Sequence, residues 1–160
     1  MRRAFRIGFS FGLPSGIVTT LGLIVGLSSI TTSHLVIIGG ILTIALADSF
    51  SDSMGMHFSQ ESQNHLSHKD VWKSTIFTLL SKFIFSSIFI FPVLIFELNV
   101  AILISIFIGL YLIFLISLII ARERKDNPWK VISEHLAITI FVLILTHYVG
   151  ILISNTFGYL

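Results

Sequence analysis

Residues 35–57 read LVIIGGILTIALADSFSDSMGMH. The stretch is 23 residues long and carries neither proline nor a basic residue. At 1.5 Å of rise per residue, a helix of this length crosses the ~30 Å hydrocarbon core of a bilayer. A buried strand would stop after roughly 4–8 residues, so the run predicts a membrane-spanning helix. Two of its side chains do not belong in hydrocarbon. Asp48 and Asp52 stand well inside the run, and a central carboxylate costs about 2.5–3.5 kcal/mol on the insertion scale. Such residues mark an ion path or an interhelical charge pair.

The same length rule predicts four more spans on either side, giving spans near 13–31, 35–57, 74–96, 98–121 and 131–153. The fold class expected is therefore all-α, a polytopic membrane protein forming one domain across residues 1–160. Hydrophobic residues make up 54% of the chain and charged ones 11%, against roughly a quarter charged in a soluble domain. Arg2, Arg3, Arg6, Lys69, Lys73, Arg122, Arg124, Lys125 and Lys130 all fall in alternate loops. The loops at 31–34 and 97–99 and the tail from 154 carry no Lys or Arg. The positive-inside rule then predicts a cytoplasmic N-terminus and a C-terminus outside. The segment MRRAFRIGFSF suits a headgroup-level stretch, with Pro14 and Gly16 breaking the chain where the first span begins. That interruption, and the lack of a small-residue cleavage site after it, argue against a cleaved signal peptide. The membrane expected is the cell membrane.

Gly12 and Gly16, then Gly22 and Gly26, repeat at four-residue spacing, and Gly39 and Gly40 open the second span. Such pairs let helix backbones approach closely, which implies tight packing or a homodimer through the first-span glycine face. Cysteine is absent, so a metal must be held by oxygen, imidazole or thioether. The net charge of +2 gives no reason to expect nucleic acid as a partner.

Asp48, Asp52 and Met56 are four residues apart and so share one helix stripe. Carboxylates suit hard and borderline divalent cations, and a thioether favours late first-row metals. Lys82 should lie at similar depth, which leaves open a buried ion pair that holds helices together. Beyond Met56 the helix is expected to continue into the cytoplasmic connection 58–73. His57, Glu61, His65 and His68 would there form a further metal-binding face, or only a wet one. Glu134 and His135 lie near the same surface, as a mouth or as interfacial anchors. His147 is expected to hydrogen-bond between helices, and His34 carries no signal.

The run Ser15-Gly16-Ile17-Val18-Thr19-Thr20-Leu21-Gly22-Leu23, followed by Ala47-Asp48-Ser49-Phe50-Ser51, resembles the vacuolar iron transporter family. The specific motifs lie within 12–62; the remaining spans match as hydrophobic helices. The resemblance implies a dimer of five-span subunits that exports ferrous iron or manganese from the cytosol in exchange for protons. First and second spans would line the path. Three departures stand out. Ser15 replaces an aspartate usual before the glycine matched by Gly16. The order of methionine and carboxylate is exchanged in Ser51-Asp52-Ser53-Met54-Gly55-Met56-His57. A cytoplasmic metal-binding domain is reduced to 58–72. The expected function is thus divalent transition-metal transport by metal/proton antiport. Its ion path would run through Asp48, Asp52, Met56, Ser15 and Lys82, with no resident cofactor. The alternative is a non-transporting scaffold or assembly partner with the Asp/Lys set as helix glue. No nucleophile triad, HExxH pattern or phosphate loop points to an enzyme.

Overall fold

The computed structural model describes residues 2–63 and 67–158, and within them the chain is all-helical. The helices are α1 (Arg2–Ser28), α2 (His34–Glu61), α3 (His68–Ser87), α4 (Ile90–Ile95), α5 (Leu98–Arg124) and α6 (Pro128–Phe157). With α3 and α4 taken as one segment, five helices are long and apolar enough to cross a membrane. The chain is accordingly a multi-pass membrane protein.

Local chemistry sets the ends. Ser33 opens α2 by accepting from the Val36 N–H. Ser67 opens α3 by accepting from the Asp70 N–H, while its own hydroxyl donates to the Asp70 carboxylate. Asn127 caps α6 with Pro128 just inside the start, where its missing N–H costs nothing. At the far end of α5, Lys125 takes the left-handed conformation at φ 57° and returns its N–H to Arg122, while Asp126 N–H reaches Ala121. That closing turn satisfies carbonyls which the helix leaves open.

α1 is the central helix and packs against α2, α3, α5 and α6. Its glycines decide how closely. A Cβ at Gly8 would lie 2.6 Å from the Ser74 carbonyl oxygen, at Gly12 2.7 Å from that of Thr78, and at Gly16 2.9 Å from that of Lys82. All three belong to α3. Gly22 and Gly26 instead face Thr146 of α6, and Gly150 lies against the Gly26 carbonyl. The first-span glycine face proposed by sequence for a dimer is therefore filled within the chain. Apolar side chains seal the middle, with Ile17, Leu21, Ile24, Ile37, Ile41 and Phe89 fully buried. Between lipid-facing helices this packing works through dispersion and close approach. Outward, Leu103, Phe107, Phe141 and Leu152 are exposed, as a lipid-facing surface requires.

Three sequence expectations change. The first eleven residues are not a separate stretch before a break, because α1 runs unbroken from Arg2 with Pro14 inside it. Ala4 and Gly8 are buried, and Phe5 and Phe9 meet Phe77 and Phe85 of α3 edge to face at 5.0 and 5.9 Å. Packing on α3 supports those turns and overrides the proline. The segment 74–96 is also interrupted, as α3 ends at Ser87 and α4 begins at Ile90. Pro92 has no N–H for the Ile88 carbonyl, which receives the Phe91 N–H instead. Finally, α2 stops at Glu61, and α3 starts at His68 as a separate helix.

Candidate functional site

The two aspartates of α2 meet Lys82 of α3 and Ser15 of α1. Lys82 Nζ lies 2.6 Å from Asp48 Oδ2, donates to Asp52 Oδ2 and donates to Ser15 Oγ at 2.9 Å. Ser15 Oγ in turn donates to Asp52 Oδ2 at 2.7 Å. The Asp48 contact is an ion pair without an aligned hydrogen bond, so that oxygen keeps an unmet acceptor.

Burial is uneven across the cluster. The Lys82 side chain is 1% exposed, against 27% for Asp48 and 24% for Asp52. A buried ammonium must be paired, and here two carboxylates and a hydroxyl surround it. Helix packing makes this possible. Gly16 admits the α3 backbone at Lys82 itself, which brings the lysine beside Ser15, one residue before that glycine. On α2 the stripe Ile37, Ile41, Ala45, Ser49, Ser53 and His57 is buried, so the neighbouring stripe of Asp48 and Asp52 lies at its edge. With both carboxylates and the ammonium ionised, the cluster carries one net negative charge.

Asp48 opens into a groove between α1 and α2, lined also by Thr19, Gly40, Thr43, Ala47 and Ser51. The chemistry available is that of an anionic oxygen pair, reachable from one side and occupied by a tethered cation. Met56 stands one turn beyond Asp52 and is half-buried.

The histidine-containing connection is arranged differently from its expected continuous face. His57 turns inward, with Nδ1 3.0 Å from Thr75 Oγ1 and its ring 4.6 Å from that of Trp72. Glu61 is exposed, 3.9 Å from His57 Nε2. His68 is exposed at the start of α3, and His65 lies outside the described residues. Among the described residues no three His, Asp or Glu side chains stand together as a metal-holding group. α2 ends at Glu61 and His68 opens α3, so one helix does not align His57 and Glu61 with His68. His147 of α6 meets Ser29 Oγ, just past the end of α1, at 2.8 Å. His34 lies 3.2 Å from the Phe96 carbonyl oxygen.

Sequence reading missed the partnership of His135 with Ser117, whose Oγ is 2.8 Å from His135 Nδ1. Both border a cavity of about 340 Å³ between α1, α5 and α6 that also touches Ser15. A signal existed in the isolated Ser117 and Thr139 of otherwise apolar runs, but nothing in sequence pairs them. No family model, curated protein or solved structure matches the chain.

Proposed function

We propose that this protein is a carrier for a divalent transition-metal ion, ferrous iron or manganese, in exchange for protons, as its resemblance to the vacuolar iron transporters implies. The observation that carries the reading is the Asp48–Lys82–Asp52–Ser15 cluster, set among membrane-spanning helices and open to the α1/α2 groove. Intramembrane ionisable groups are expensive, and their usual return is a substrate or proton pathway. Lys82 acts here as a built-in substitute cation. When M²⁺ binds the two carboxylates, the Lys82 ammonium releases a proton to water and its neutral amine moves aside. The local charge passes from −1 to zero. Reprotonation of Lys82 restores the ion pair and expels the metal, so metal and proton compete for one site. Met56 adds a soft ligand one turn away that favours iron-like ions over magnesium.

In this reading the N-terminus is cytoplasmic, since the basic residues share one end of the bundle, and the membrane is the cell membrane. A second copy would cover the α1/α2 groove, because the glycines of α1 are already engaged by α3 and α6.

The test is metal uptake into proteoliposomes carrying a metal-sensitive dye, for ferrous and manganous ions, with and without a pH gradient. Gradient-dependent uptake that disappears in Asp52→Asn is expected. Absence of uptake by folded wild-type protein sinks the carrier reading. One observation favours a scaffold instead: Lys82 already engages both carboxylates, as helix glue would. A carrier gains thermal stability from added metal by linkage, whereas a scaffold gains none.

A further inference from the structure

The cavity between α1, α5 and α6 connects two features that sequence keeps apart. Its inner wall includes Ser15, whose hydroxyl bonds both Lys82 and Asp52. Its outer wall includes Ser10 and His135. Each of these belongs also to a surface pocket at the basic end of the bundle. Ser10 adjoins Arg3 and Arg6, while His135 adjoins Arg124, Asp126, Lys130 and Glu134. Two surface pockets at the basic end thus share lining residues with this cavity, and the cavity reaches Ser15, which bonds the charge cluster.

Polar groups at this cavity keep bonding capacity that the protein does not use. Pro14, inside α1, has no N–H to give the Ser10 carbonyl. The Ser10 hydroxyl makes no hydrogen bond within the described residues, and His135 uses only Nδ1, towards Ser117. In a bilayer such groups must be satisfied by protein or by water. At ~30 Å³ per water molecule, a cavity of this size has room for several, and although most of its surface is apolar, Ser10, Ser15, Thr19, Ser117, His135 and Thr139 line it.

We infer that this cavity is a water-filled vestibule that carries solvent from the basic end of the bundle to Ser15, and through Ser15 to Lys82 and Asp52. It adjoins the α1/α2 groove at Thr19, which lines both, and the charge cluster borders the groove through Asp48 and the cavity through Ser15. The charged groups around its mouths are Arg3, Arg6 with Glu123, Arg124 with Asp126, Lys130 and Glu134, and His135 is the titratable group that lies between them and the interior. Hydration of the vestibule stands by itself.

The chain has no cysteine, so single cysteines report directly. The probe is a membrane-impermeant charged methanethiosulfonate applied to full-length protein in liposomes, from the basic end. Only a thiolate in contact with water reacts at speed, so Ser10→Cys, Ile120→Cys, Ser15→Cys and Val18→Cys should react about tenfold or more faster than lipid-facing Phe107→Cys and Phe141→Cys. Reaction at the mouth positions alone, with Ser15→Cys and Val18→Cys as inert as the lipid-facing controls, shows a chamber filled by hydrocarbon and overturns the inference. Val18→Cys keeps the test decisive if a change at Ser15 disturbs folding. Fast labelling in protein that moves no metal supports the vestibule and removes the carrier reading. Metal uptake with inert interior cysteines does the reverse.

Discussion

Removing the charge of Lys82 is the most informative single perturbation. Deleting one member of a buried ion pair costs about 3–5 kcal/mol, because the partner is left uncompensated. The geometry says which deletion sits at which end of that range. In Lys82→Met the orphaned groups are Asp48 and Asp52, each still about a quarter exposed. Water or protonation relieves them, so the loss should fall near 3 kcal/mol. The double variant Asp48→Asn/Asp52→Asn strands an ammonium that is 1% exposed, with Ser15 Oγ and two amide oxygens as partners. That loss should approach 5 kcal/mol. The triple variant Lys82→Met/Asp48→Asn/Asp52→Asn contains no buried charge and should recover most of the deficit. Equilibrium unfolding in mixed micelles, followed by the fluorescence of Trp72 and Trp129, measures all three. If the triple loss equals the sum of the separate losses, the three residues are not energetically coupled and the cluster described here is wrong.

Other consequences follow from the same contacts. Ser15→Ala removes a donor to Asp52 and an acceptor from Lys82 and should cost about 1.5–3 kcal/mol in the same unfolding assay, the range for bonds to charged groups. Gly12→Val places a Cβ 2.1 Å from Ser81 Oγ and 2.7 Å from the Thr78 carbonyl oxygen; the forced separation of α1 from α3 should cost about 1–3 kcal/mol. Gly39→Ala meets nothing within 4 Å and should stabilise an isolated subunit by up to about 1 kcal/mol through helix propensity. If light scattering shows that it dissociates a dimer, the second copy sits on α2. Thr75→Val takes away the partner of the buried His57 Nδ1 and should destabilise by about 1–3 kcal/mol, read as a lower melting temperature; an unchanged value would mean that water replaces the threonine.

The sequence by itself determined the membrane class and the number of crossings. Those follow from hydropathy and length, quantities that each segment carries on its own. It also singled out Asp48, Asp52 and Lys82, because a charge in a long apolar run is costly wherever the helix packs. Local rules failed where a neighbour decided the outcome. Pro14 signals a break, yet the contacts of Gly8, Phe5 and Phe9 with α3 hold α1 straight through it. The first-span glycines announce close packing but not its partner, since any helix backbone fits a surface without side chains. The His57, Glu61, His65 and His68 spacing assumes a helix that the α2–α3 turn ends. The meeting of Ser15 with Lys82, 67 residues later, and the chamber shared by Ser10, Ser117 and His135 were left to tertiary structure. Both depend on how three or more helices pack against each other, and helical periodicity places residues only along one helix at a time.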